Sequence, residues 1–196
     1  MSGIVLPILA VAAGMLLISG NGETVHRGSL YQKARRLALQ YIKSVPRGAV
    51  IIFDFDDTLF HPHEVLDYEH TGARQTWGGD RRALPIYKPI HEMVDVLQVA
   101  SAMGHYIVLI TARHDNAYTR AVVNANFRRR GMKYNLFYAA QATADANFKA
   151  ALRKQLAARY RVVLTIGDQW GDVKSPGQAH WIKLPDRHDH GMYSSL

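Results

Sequence analysis

The sequence predicts an α/β fold, a three-layer sandwich in which a central parallel sheet carries helices on both faces. Three observations predict it. Short apolar runs rich in β-branched residues, at Ala49 to Phe53, Tyr106 to Ile110 and Arg161 to Ile166, end beside acidic or small polar residues, as strands buried on both faces do. Stretches of helical period lie between them. The two kinds alternate along the chain, the pattern of strand, crossover helix and parallel strand, and in such sheets ligands bind beyond the carboxyl ends of the strands.

The order of elements opens on Gly3 to Gly20, a run with no charged side chain. As a helix it would extend about 27 Å at 1.5 Å per residue, just enough to cross a bilayer, and it lacks the polar stripe of a soluble helix. Residues 1–22 are expected to be a hydrophobic membrane anchor or signal segment, touching the membrane through residues 3–20, and residues 23–196 one globular domain. No Lys or Arg precedes the run, and Ser19 to Gly22 lacks a small-x-small pattern with alanine. An uncleaved anchor is therefore favoured over export after signal cleavage. Arg27, Lys33, Arg35 and Arg36 follow the run, a bias that would keep the domain on the cytoplasmic side.

Beyond the polar linker Asn21 to Gly28, Leu30, Ala34, Leu37, Ala38, Tyr41 and Ile42 recur at helical spacing up to the Pro46-Arg47-Gly48 break. The strand Ala49 to Phe53 comes next. Phe60 to Tyr87, rich in glycine and charge, reads as a loop with at most a small flap, so the domain is essentially capless. Ile90, Met93, Val94, Leu97 and Ala100 describe a helix within Lys88 to Met103, closed by Gly104, ahead of the strand Tyr106 to Ile110. A helix near Asn116 to Arg130, a strand near Asn135 to Tyr138, a helix near Ala146 to Arg159, the strand Arg161 to Ile166 and a last short strand at His180 to Leu184 complete the alternation. The remainder reads as a mobile tail.

With 196 residues, 48% of them apolar, the chain can bury one substantial core. It has no cysteine, which excludes disulfides, thiolate catalysis and cysteine-ligated zinc but leaves the compartment open. A net charge of +8, with clusters at Arg35-Arg36, Arg81-Arg82 and Arg128-Arg129-Arg130, favours anionic partners such as nucleotides, nucleic acid or acidic lipid.

The polar residues at the predicted strand ends form a set. Asp54 and Asp56 follow the first strand, Thr111 and Arg113 the second, Lys149 opens a helix, and Asp168 and Asp172 follow the fourth strand. Each type has a use in phosphoryl transfer. One carboxylate, Asp54, can attack phosphorus, and Asp56, two residues on and on the same side of an extended chain, can protonate the leaving oxygen and then activate water. Gathering several acids and a phosphate calls for a hard divalent cation, and Mg2+ fits best. Thr111 and Lys149 would bind the equatorial oxygens, Asp168 would complete the metal shell and Asp172 would orient it. Singly, each has a plain alternative: a cap, a turn, or a solvated lysine. Their joint order carries the reading.

That order resembles the haloacid dehalogenase superfamily of phosphohydrolases. The matching segments are Asp54-Phe55-Asp56-Asp57-Thr58, Ile110-Thr111, Lys149, and Gly167-Asp168-Gln169-Trp170-Gly171-Asp172. The helix before the first segment, Thr111-Ala112-Arg113, and the helix leading into Val162 to Asp168 look most like the acid phosphatase subgroup. The resemblance implies a magnesium phosphomonoesterase with Asp54 as nucleophile, Asp56 as acid/base, and Asp54, Asp168 and the Asp56 backbone carbonyl on the metal. Of the lysines nearby, Lys149 is chosen over Lys133 and Lys154 because it begins the helix before the last segment.

An open site would suit small phosphoesters or nucleotides, or a phosphate end on a nucleic acid or protein. Arg74, Arg81, Arg82 and Arg113 are candidates to hold substrate phosphate. His61-Pro62-His63 and His188-Asp189-His190 lack helical ligand spacing and read as exposed histidines rather than a zinc site. Rival readings are a silent membrane-anchored binding protein, a receiver-type phosphoacceptor and a nucleic-acid end phosphatase. The acid set weighs against the first, because uncompensated carboxylates repel. Phe137-Tyr138-Ala139-Ala140, where a receiver would hold its aspartate, weighs against the second. Salt-dependent binding to DNA or RNA would mark the third.

Overall fold

A computed structural model describes residues 27–69, 83–141, 147–174, 179–186 and 191–196. The segment 1–22, with its expected membrane run, lies outside the described residues, as do Arg74, Arg81, Arg82 and His188 to His190. No helix among the described residues is long and apolar enough to cross a membrane.

Helix α1 (Arg27–Ser44) leads into β1 (Val50–Phe53), β2 (Phe60–Glu69), β3 (Leu84–Pro89) and α2 (His91–Ala102). Next come β4 (Tyr106–His114), α3 (Ala117–Arg128), β5 (Leu136–Ala140), α4 (Phe148–Arg159), β6 (Val162–Gly167), α5 (Trp170–Val173), β7 (His180–Lys183) and β8 (Tyr193–Ser194). Six strands form one sheet in the order β5-β4-β1-β6-β7-β8. All its neighbouring pairs are parallel except β7 with β8, as the predicted alternation requires. β1 sits in the middle because it is apolar at every position and buried throughout.

Alternation along the strands divides the core in two. Ile51, Phe53, Ile107, Leu109, Leu164 and Ile166 pack with Ala34, Ala38 and Ile42 of α1, Met93 and Leu97 of α2, and Val122 and Phe127 of α3. Val50, Ile52, Val108 and Ile110 face the other way, against Leu156 of α4. Side chains that alternate across a strand thus supply both layers of the sandwich. Gly104 turns the chain between α2 and β4 at φ 81°, a left-handed conformation that glycine adopts without a Cβ penalty.

Two parts differ from the sequence reading. The ends of Phe60 to Tyr87 are strands rather than loop: β2 and β3 pair antiparallel as a separate two-stranded sheet. The pattern hid them because most of β2 is exposed and the two strands carry Pro62, Pro85 and Pro89. The ribbon is held from a distance. Asn126 of α3, fully buried, accepts from the Tyr87 backbone N–H at 2.8 Å and donates to the Pro85 carbonyl at 2.9 Å. Arg128 and Arg129 pair with Glu69 and Asp67 at the surface, where such pairs contribute at most about 1 kcal/mol each, so the buried Asn126 bonds matter more. The C-terminal residues, read as a mobile tail, include β8, which covers the outer edge of β7.

Candidate active site

The carboxyl ends of β1, β4 and β6 lie side by side because these strands are neighbours in the sheet. Asp54 follows β1 directly, and its N–H donates to the Ile166 carbonyl at 3.0 Å, which fixes the end of β1 against the end of β6. The chain then reverses: Leu59 and Phe60 N–H both donate to the Phe55 carbonyl, and Asp57 takes a positive φ of 50°, a region that Asp tolerates better than most residues. Asp168 follows β6, and Asp172 lies in the short helix α5.

Asp54, Asp168 and Asp172 are all buried, and one carboxylate oxygen from each lies within 4.8 Å of the others. Lys149, at the start of α4, reaches into this group, with Nζ 2.6 Å from Asp54 Oδ1 and 2.5 Å from Asp172 Oδ1. Asp172 also accepts the Gln169 N–H on Oδ2 at 2.9 Å, closing a capping box on α5. Gln169 Nε2 donates to Asp168 Oδ2 at 2.9 Å, and the Thr58 hydroxyl stands 3.5 Å from Asp168 Oδ1. Gly167 allows this closeness: a Cβ there would stand 2.3 Å from the Asp172 Cβ.

A second pair flanks the first. Arg113 grips Asp56 with two bonds, Nε to Oδ2 at 2.8 Å and Nη2 to Oδ1 at 2.6 Å. Its guanidinium lies 5.2 Å from the ring centres of both Phe55 and Tyr87, close enough for cation–π attraction. Thr111 is fully buried, and its hydroxyl accepts the Arg113 N–H at 3.2 Å. Strand β4 continues through these residues to His114, with its register against β5 shifting between Thr111 and His114, and such irregularities re-aim side chains. His61 Nδ1 lies 3.6 Å from Asp57 Oδ1.

The structure thus brings Asp54, Lys149, Asp168 and Asp172 together, joins Asp56 to Arg113, and ties Thr111 to that pair through the backbone. Thr58, Gln169 and Arg153 of α4 were missed. Thr58 ends the run Asp54-Phe55-Asp56-Asp57-Thr58, but a hydroxyl four residues past Asp54 gives no sign of meeting Asp168.

Burial pushes the Asp54 carboxyl well above the usual range; Lys149 opposes this, and Asp172, Asp168 and Asp56 add to it. Asp168 is pushed up to about 7, first by burial and then by Asp172, with the Gln169 hydrogen bond acting the other way. Burial would lower the Lys149 pKa, but Asp54 and Asp172 more than reverse this and raise it. Between about pH 4, where Asp titrates in an unfolded chain, and pH 7, folded Asp168 therefore keeps a proton that the unfolded chain releases. Stability of the metal-free protein is expected to fall across that window by on the order of 1 kcal/mol per pH unit. Denaturant midpoints in chelator check this, and Asp168→Asn should flatten the slope.

Three buried carboxylates with an oxygen from each within 4.8 Å of the others are a poor resting arrangement for protein alone and a good one for a hard cation, whose ligands are oxygens. The donor set fits a divalent metal. A parallel α/β sheet with such a group at its carboxyl edge, a lysine inside it and a fourth carboxylate, that of Asp56, beside it defines a domain built for phosphoryl chemistry. The model of one protein family, HAD superfamily, subfamily IIIB (acid phosphatase), matches residues 24–189, and the chain belongs to that family. It is accordingly a phosphomonoester hydrolase. A search of the curated proteins returned no match.

Proposed function

We propose that this chain hydrolyses small phosphomonoesters or nucleotides with Mg2+, through an aspartyl-phosphate on Asp54. The observation that carries the reading is the buried group of Asp54, Asp168 and Asp172 closed around Lys149. In the first step an Asp54 oxygen bonds to phosphorus, the bond to the leaving oxygen breaks, and Asp56 gives that oxygen its proton. In the second, water bonds to phosphorus, Asp56 takes its proton, and the bond to Asp54 breaks, releasing phosphate. Lys149 and Thr111 hold the phosphoryl oxygens, and Arg113, beside Asp56, meets the substrate; Arg81 and Arg82, outside the described residues, are further candidates to bind its phosphate.

Mg2+ would be held by Asp54, Asp168 and the Asp56 carbonyl, with Asp172 behind them, and would supply charge to offset that on the phosphoryl group. Small substrates are favoured over nucleic acid because the Arg128-Arg129-Arg130 cluster already has partners: Arg128 and Arg129 pair with Glu69 and Asp67 at the surface, and Arg130 donates to the Tyr87 carbonyl. Residues 3–20 would keep the domain at a membrane.

The test is phosphate release from aryl phosphates, nucleotides, phosphopeptides and 3′-phosphorylated oligonucleotides, with and without chelator. Chelation is expected to stop release and added Mg2+ to restore it. Full activity in chelator would overturn the metal assignment, and a preference for oligonucleotides that weakens steeply with salt would shift the substrate to nucleic acid.

A further inference from the structure

Lys149 and Arg153 lie four residues apart on α4, so their side chains leave the same face of the helix. Arg153 is the more deeply enclosed, 3% exposed, where charged groups are rare unless paired. Its Nη2 donates to the Lys174 carbonyl at 2.9 Å, two residues past Asp172, and its charge reaches the Asp172 carboxylate. Nε is buried and meets no acceptor among the described residues.

A guanidinium with one neutral partner and an idle donor is a costly way to join two helices; an apolar side chain of similar length would pack there without that penalty. The charge has a better use. Once a bound cation has all three carboxylates ionised, they face one ammonium, that of Lys149. Those three carboxylates, a divalent cation and Lys149 sum to no net charge, so the site would offer an incoming phosphate dianion no surplus of positive charge. Arg153 supplies a second positive charge, felt by Asp172, from a buried place against the Lys174 carbonyl.

We propose that Arg153 is a positioning residue acting on the site through Asp172: its buried charge loosens the hold on the divalent cation and tightens the hold on the phosphate dianion. This rests on the Mg2+ reading above. It sets Arg153 apart from Lys149, which touches the carboxylates directly.

The experiment uses the full chain, unchanged and as Arg153→Met, Arg153→Gln and Arg153→Lys, each checked for folding by circular dichroism. Mg2+ is titrated calorimetrically into metal-free protein, and inorganic phosphate is titrated at saturating Mg2+. Arg153→Met and Arg153→Gln are expected to bind Mg2+ about three- to tenfold more tightly and phosphate more weakly by a similar factor. Arg153→Lys should stay near the unchanged protein in both. A purely structural tie would not move the two affinities in opposite directions. Unchanged or weaker Mg2+ binding in the neutral variants, or unchanged phosphate binding, overturns the proposal. If the unchanged protein itself fails to bind Mg2+, the metal reading falls and this inference with it, so the two failures are told apart.

Discussion

Asp54→Asn is expected to abolish phosphate release, by at least about 10⁴-fold, while the protein stays folded. The carboxamide keeps the shape of the side chain, and its oxygen can still accept from Lys149, whose Nζ lies 2.6 Å from Asp54 Oδ1. What it lacks is a carboxylate to form the acyl phosphate. Burial already pushes the Asp54 carboxyl well above its ordinary range, so a neutral side chain at this point relieves repulsion from Asp168 and Asp172. Thermal midpoints in chelator should equal or exceed those of the parent, and this separates lost chemistry from lost structure. Activity within about tenfold of the parent would place the nucleophile elsewhere.

The second large effect is on stability. Lys149→Met removes the cation that lies against both Asp54 and Asp172, leaving three buried carboxylates close together. Breaking a buried pair from one side costs about 3–5 kcal/mol, and that loss is expected at neutral pH in chelator. Because the folded pKa of Lys149 is raised, its stabilisation is complete below the ordinary lysine range and fades only at more alkaline pH. On the acid side the carboxylates take up protons, and Asp168 does so from about pH 7 downward, so the variant should recover as pH falls. Mg2+ should also recover it, since a divalent cation replaces the missing charge. Denaturant unfolding across pH, with and without Mg2+, checks all three. Turnover should fall as well, by about 10²- to 10³-fold, as when a donor to the reacting oxygens is removed.

Much of this was legible in the sequence because the sheet is parallel and buried. Val50–Phe53 is apolar throughout and Val162–Gly167 nearly so, with Thr165 its one polar side chain, so the acids that follow them mark the edge where the chain leaves the core. Lys149 was legible from its place at the head of a helix between strands. Arg153 was not, since an arginine on a helix usually faces water and only the packing of α4 against α5 encloses it. The β2–β3 ribbon escaped for a related reason: its partners, Asn126, Arg128 and Arg129, lie far along the chain, and its own alternation is weak. β8, two residues long, has too short a pattern to read. Asp56 was legible as an acid of the first motif, but its grip by Arg113 depends on the irregular end of β4, which a run of apolar residues does not announce.

Gly167 couples two positions. Because an added Cβ would collide with the Asp172 side chain at 2.3 Å, a bulkier residue at 167 can be accommodated only if position 172 retreats, and retreat breaks the contact with Lys149. In a library randomised at both positions and selected for turnover, survivors should keep the glycine and the acid together, while a selection for folding alone should admit alanine at 167 with glycine at 172. The gap between those two sets of sequences would show how much of this corner of the molecule is shaped for the site rather than for the fold.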